Sequence, residues 1–169
     1  LYLSPERVLP VMGSRGCYWE KCAFCSIPFD HMTFHVRYAE NVVNDFKNLQ
    51  EKYNCNNFFF TDEALPINFL RTFAAKIIEQ KVDVQWTGEL KFEKSLLKDD
   101  RMDLLYKSGC RKLIFGLESY NQRVLDSMKK GVELSWVDET AERCIKLGIA
   151  MHFYLICGFP TETREEVMD

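Results

Sequence analysis

The sequence predicts an α/β fold built as an open, partial β/α barrel, and three observations carry that expectation. Hydrophobic periodicity switches repeatedly between strand-like and helix-like spacing, always in the same order. The crossovers are long enough to make consecutive strands parallel and their connections right-handed. Polar and charged residues fall at the C-terminal end of each expected strand, where β/α barrels gather site residues from many strands; a doubly wound sheet instead concentrates its ligand at one switch point. At 169 residues the chain is one domain, short of the roughly 250 residues of a closed eight-unit barrel.

Residues 8–13 form a short apolar run, the first expected strand, and a cysteine-rich loop follows. Over 39–53, Val42, Val43, Phe46, Leu49 and Tyr53 mark one stripe of an amphipathic helix. Asn57-Phe58-Phe59-Phe60-Thr61 is a continuous aromatic run, as in a strand buried on both faces. Phe69, Leu70, Phe73, Ala74, Ile77 and Ile78 give a second helical stripe, 84–88 a third strand, and 96–107 a helical segment stopped by Ser108-Gly109. The fourth strand is 113–117. A short helix over 122–128 then ends on Lys129-Lys130-Gly131, where the helix dipole and a left-handed cap favour basic residues and glycine. Those lysines and Arg123 are expected on solvated helix faces. A helix over 135–147 closes on Gly148, 150–157 is the fifth strand, and 163–169 opens another helix.

Apolar residues make up 47% of the chain and charged residues 28%, and no apolar run approaches the length of a bilayer span. Twenty-two basic and twenty-five acidic side chains leave a net charge of -3, which gives no electrostatic footprint for nucleic acid or anionic lipid. The chain opens Leu1-Tyr2-Leu3 without an initiator methionine and stops in the first turn of an expected helix, so residues 1–169 read as one core domain from a larger protein. An odd count of seven cysteines argues for a reducing, cytoplasmic setting over a secreted disulfide framework. Cys55, Cys110, Cys144 and Cys157 lie among apolar neighbours and are expected to be core thiols.

Cys17, Cys22 and Cys25 are different, because three thiols within nine residues can close on one metal centre. Zinc with His31 or His35 as fourth ligand makes a stabilised binding module without catalysis. An iron-sulfur cluster held by three cysteines leaves one iron open to an exogenous ligand. Three unrelated thiols are the third reading.

The loop resembles the cluster motif of the radical S-adenosylmethionine superfamily, whose usual spacing is three residues then two with an aromatic before the last cysteine, here Phe24. This chain has one residue more between Cys17 and Cys22. Arg15-Gly16-Cys17-Tyr18-Trp19, Phe60-Thr61-Asp62-Glu63-Ala64, Gly116-Leu117-Glu118-Ser119 and Gly158-Phe159-Pro160-Thr161-Glu162-Thr163 are similar to successive signatures of members with an upstream cobalamin-binding domain. The resemblance implies a TIM-like open (β/α)6 barrel, truncated here to about five β/α units.

It further implies that Cys17, Cys22 and Cys25 hold a 4Fe-4S cluster whose open iron takes the amino and carboxylate groups of S-adenosylmethionine. Phe24 then packs near the adenine, and Glu63, with Asp62 in reserve, accepts from the methionyl ammonium. Glu89 reaches the ribose hydroxyls, Lys91 neutralises the methionyl carboxylate, and Glu118 is a second contact for ribose or ammonium. Ile156 and Gly158 give apolar and backbone contacts to adenine. Thr161 stands where some members carry an acid, and Trp19 shields the cluster. The implied activity is reductive cleavage of S-adenosylmethionine to a 5′-deoxyadenosyl radical that abstracts hydrogen from a small-molecule or peptide substrate. Flavodoxin or ferredoxin supplies the electron, and cobalamin enters through a domain outside this chain.

Each residue also has a plain structural reading. Asp62 or Glu63 can be a helix N-terminal charge, Glu118 can open the helix after Asn121, Ile156 can be core, and Lys91 can be a solvated charge. His31, His35 and Arg37 read as surface or helix-entry residues.

Overall fold

The computed structural model describes residues 6–27 and 33–168; His31, one of the two candidate zinc ligands, lies outside them. Strand β1 (Leu9–Val11) leads into a short antiparallel ribbon of β2 (Ser14–Arg15) and β3 (His35–Val36). Then follow α1 (Ala39–Tyr53), β4 (Asn57–Phe60), α2 (Ile67–Glu79) and β5 (Gln85–Leu90). A 3-10 turn (Lys94–Leu97) and α3 (Arg101–Lys107) precede β6 (Cys110–Glu118); α4 (Gln122–Ser127), α5 (Leu134–Leu147), β7 (Ala150–Leu155) and α6 (Arg164–Met168) complete the chain. Strands β1, β4, β5, β6 and β7 form one five-stranded sheet in sequence order, every pair parallel. Because the order never reverses, the sheet has no switch point, and the barrel-like expectation holds over the doubly wound one. No described helix is long and apolar enough to cross a membrane.

Element boundaries differ from the expected ones for local reasons. The first strand stops at Val11 because the Gly13 and Ser14 amides bond to the Asp62 carboxylate and leave the ladder. The segment 96–107 divides into the 3-10 turn and α3 because Asp99 takes a left-handed φ of 54°. In β4, Phe58 and Phe60 are buried while Phe59 is only half-buried. Two-residue alternation sends Phe58 and Phe60 against the helices and Phe59 to the opposite face of the sheet.

The packing centre is Phe46 of α1. Its ring stacks on Phe58 at 4.1 Å and meets Phe73 of α2 edge-on at 5.1 Å. Phe60, Phe73 and Trp86 close the cluster with edge contacts between 5.3 and 5.9 Å. A second stack, Phe92 on Phe115 at 4.2 Å with Phe153 beside both, joins the segment after β5 to β6 and β7.

Cys55, Cys110 and Cys144 are core thiols as expected. Burial pushes the Cys144 thiol up to about 12 and Cys110 higher still, which keeps both inert. Cys157 is a correction: it is exposed, because it follows β7, which among the described residues pairs with β6 alone. The same edge position leaves Tyr154 and Leu155 open to solvent. Truncating the aromatic centre by Phe46→Ala is expected to cost about 3–5 kcal/mol, read as a lower urea midpoint at unchanged slope.

Candidate functional site

The cysteine loop folds over the C-terminal ends of β4, β5 and β6. Together they enclose a cavity of about 170 Å3, with Cys17, Cys22 and Cys25 on one wall and Glu63, Glu89 and Glu118 on the other. Phe24 and Lys91 line it too, as do Trp19 and Lys130. The pleat explains the acid positions: in β5, Trp86, Gly88 and Leu90 point to the core, so Glu89 faces the opposite side.

Asp62, just past β4, is fully enclosed and lies outside this cavity. Its carboxylate accepts from the Gly13 amide at 3.0 and 3.1 Å, from the Ser14 amide, and from the Ser14 hydroxyl at 2.6 Å. Burial pushes its pKa up, and the Ser14 and Gly13 donors pull it back. Asp62 therefore fixes the root of the cysteine loop, and its oxygens are already taken.

The loop is held further out by other elements. The Tyr18 hydroxyl donates to Glu93 at 2.7 Å; burial, reinforced by Glu93, keeps that phenol neutral and donating. The Ala23 amide donates to the Met128 carbonyl and the Trp19 indole N–H to the Lys129 carbonyl, both at 2.9 Å. Glu20, between Cys17 and Cys22, takes a left-handed φ of 51°.

Lys130 is the residue that sequence reasoning misplaced. It is buried, not solvated: its ammonium pairs with Glu118 at 2.7 Å, each side chain about 10% exposed. Gly116 makes room for that pair, since a Cβ there would stand 2.5 Å from Glu118 Oε1 and 2.7 Å from Lys130 Nζ. Lys129, next in line, stays exposed as expected. No local periodicity separates the two lysines; the distinction comes from the turn after α4 folding back over the end of β6. Lys91 is buried as well, which lowers its pKa, and its ammonium donates to the Gly131 carbonyl at 2.7 Å. Its reading as a solvated charge does not hold.

Burial raises Glu89 to about 7; Glu118 and Glu63 push the same way and Lys130 opposes them. Burial likewise raises the Cys22 thiol, against the pull of Lys130 and Lys91.

Ile156 and Gly158 do not join the cavity. Ile156 lines a separate cleft of about 290 Å3 with Leu117, Phe153, Leu155 and Val167, and Glu118 is the wall shared by the two spaces. Gly158 is exposed, its amide donating to Glu162 at 2.6 Å. Arg123 lies on the exposed face of α4, as expected. Its guanidinium is exposed yet engaged, donating to the Thr161 carbonyl at 2.8 Å and pairing with Glu166, whose carboxyl it holds at about 2. Arg37 donates to the Met12 carbonyl at 2.9 Å and pairs with Asp45, a structural use. His35 lies exposed on β3. Among the described residues no three Cys, His, Asp or Glu side chains converge on a single metal-ion position, and His31 of the zinc reading lies outside them. The three thiols line one cavity and are free, a donor set that fits an iron-sulfur cluster with one iron left open to another ligand.

A parallel, in-order β/α sheet whose strand ends set a three-thiol loop against carboxylates defines the core of a cofactor-binding partial barrel. The sequence matches the radical SAM superfamily over residues 11–169, and the chain belongs to that superfamily. It is 29% identical over 163 residues to an uncharacterized methyltransferase of Pyrococcus horikoshii, covering 93% of this chain and 34% of that protein. It is 26% identical over 164 residues to the bacteriochlorophyllide d C-12(1)-methyltransferase of Chlorobaculum tepidum, covering 95% and 36%. Among solved structures, the radical S-adenosylmethionine methyltransferase TsrM of Kitasatospora setae, with cobalamin and a [4Fe-4S] cluster bound, shares the fold at a TM-score of 0.82 and 19% identity, over 94% of this chain and 32% of that one. The chain thus spans about a third of the length of the curated relatives it matches.

Two outcomes follow from the charges. Glu89 holds a proton in the folded chain up to about pH 7 that the unfolded chain releases in the ordinary glutamate range. Its contribution to stability is therefore complete below that range and lost as pH rises through about 7. In the metal-free, reduced chain, Glu89→Gln is expected to gain stability over the parent more at pH 8 than at pH 5, read from urea midpoints. Lys130→Met leaves Glu118 buried without its counter-ion and is expected to cost about 3 kcal/mol or more, while Lys129→Met changes the midpoint little.

Proposed function

We propose that this chain is the catalytic core of a radical SAM enzyme, holding a 4Fe-4S cluster on Cys17, Cys22 and Cys25 and S-adenosylmethionine against the facing carboxylates. The observation that carries this reading is the convergence of the three thiols with Glu63, Glu89 and a buried lysine in one cavity at the strand ends, in a chain of that superfamily. When bound, the cluster supplies the electron that cleaves S-adenosylmethionine to methionine and a 5′-deoxyadenosyl radical competent to take a hydrogen atom.

The chain's own residues prepare the site. Ligation needs thiolates, and Lys130 and Lys91 oppose the burial that would keep Cys22 protonated. Glu63, half-buried on the facing wall, is an acceptor for the methionyl ammonium. Lys130 gives one of its three donors to Glu118 and has others for the methionyl carboxylate. Glu89, protonated in part near neutrality, both donates to and accepts from ribose hydroxyls. Phe24 offers an aromatic face beside Lys130, 5.6 Å from its ammonium, for the adenine. Ile156 and Gly158, on the far side of the Glu118 wall, are left out of the ligand set we propose.

The methyltransferase names of the relatives support methyl transfer as the overall reaction, with cobalamin held by a part of the protein outside this chain. We further propose a cytoplasmic, reducing setting and a low-potential donor such as flavodoxin or ferredoxin. The test is anaerobic reconstitution of the full-length protein. Iron and sulfide in cluster stoichiometry, 5′-deoxyadenosine formed under strong reductant, and loss of both in Cys22→Ala are expected. In Glu63→Gln the affinity for S-adenosylmethionine is expected to fall about tenfold at unchanged iron content. Zinc bound without iron or sulfide overturns the proposal.

A further inference from the structure

We propose that Lys91, which the family resemblance makes a ligand for the methionyl carboxylate, is a strut in a latch that holds the cysteine loop in place, with Trp19 and Gly131 as its other parts. The latch is a meeting of three elements at the turn 128–131, and each contact is specific. The Lys91 ammonium, reaching in from the end of β5, donates to the Gly131 carbonyl at 2.7 Å and to the Phe92 carbonyl at 3.4 Å. It also stands 4.1 Å over the Trp19 ring, a cation-π contact that is stronger for being largely shielded from water.

Trp19 completes the assembly from the other side. Its indole N–H donates to the Lys129 carbonyl at 2.9 Å, and its ring lies against the Gly131 backbone. A Cβ on Gly131 would come within 2.2 Å of the indole, and the residue's φ of +60° independently favours glycine. The Ala23 amide binds the Met128 carbonyl of the same turn. The chain is thus pinned once between Cys17 and Cys22 and once between Cys22 and Cys25.

The two buried lysines of the cavity therefore divide their labour. Two carbonyls and an aromatic face already engage the Lys91 ammonium, so a ligand carboxylate competes there with the latch for its one remaining donor. Lys130 bonds to a single side chain, which itself faces the cavity. Segments 16–27 contain no strand and only isolated turns, and a stretch without ladder hydrogen bonds takes its shape from contacts of this kind. What the loop holds rests on the proposed function; where the loop sits does not.

The experiment uses Lys91→Met, which keeps most of the stem and loses the charge, and Trp19→Phe, which keeps an aromatic ring and loses the N–H. Amide hydrogen exchange in the full-length protein, metal-free and reduced, is read at Ala23 against core amides of β5 and β6. Exchange at Ala23 about fivefold faster in both variants, with core amides unchanged, is the expected result. Wild-type exchange at Ala23 in either variant overturns the latch. Should Lys91→Met also loosen the core, the milder Trp19→Phe decides. In the reconstituted protein, Lys91→Met is expected to lose iron faster on gel filtration but to bind S-adenosylmethionine as tightly as the parent per intact cluster. Binding weakened about tenfold at full iron content returns Lys91 to the ligand set and overturns its role as strut. Failure of the wild-type protein to take up any cluster counts against the proposed function alone, since the exchange data still read the latch.

Discussion

The cysteine loop has no core of its own, and the site depends on how the rest of the chain compensates for that. A loop of twelve or so residues orders itself only if enough contacts offset the roughly 1–2 kcal/mol of backbone entropy per residue. Here those contacts come from three different strand ends. Asp62 after β4 grips the root at Gly13 and Ser14, Glu93 after β5 takes the Tyr18 hydroxyl, and the turn beyond β6 receives Trp19 and Ala23. The sheet must therefore present its strand ends in sequence order on one side, and the all-parallel arrangement does so. The barrel shapes the loop as much as it carries it.

Charge in the cavity follows from the same crowding. Three glutamates and two lysines share a small, partly dry space. The chain moderates the resulting repulsion by pairing Glu118 with Lys130 and by letting Glu89 keep its proton near neutrality. Charges of both signs thus stand in the cavity in near balance. The same balance is poorly suited to a strongly anionic or strongly cationic guest, which would have to expose one member of the buried pair.

Much of this was legible in the sequence because it is local. Alternating period gave the order of strands and helices, since the faces of α1 and α2 repeat Val42, Phe46, Phe69 and Phe73 at helical spacing. The three clustered cysteines and the acids at strand ends were equally visible. What escaped were roles set by partners distant in sequence. Asp62 reads as a free carboxylate until Gly13, 49 residues away, is folded against it. Lys130 looks like Lys129, and only its return to Glu118 distinguishes them. Arg123 is the surface charge it looks like, but its partner Glu166, 43 residues further on, is not visible locally. Cys157 sits among apolar neighbours that face an open sheet edge, where sequence context stops reporting burial.

The hydrogen bond from Trp19 to Lys129 joins residues 110 positions apart, and that separation imposes a schedule. A parallel sheet laid down in sequence order can grow strand by strand as the chain is synthesised, each new strand finding the previous one already in place. Within this chain the cysteine loop is synthesised before β4, β5 and β6, yet the turn that seats Trp19 is made only after β6 and α4. During the interval the loop has only its root at Asp62 and the Tyr18–Glu93 bond to hold it, and closing so long a connection is entropically slow. The loop's final shape is thereby deferred until most of the sheet exists, so the arrangement of its three thiols is timed by the synthesis of a distant part of the same chain.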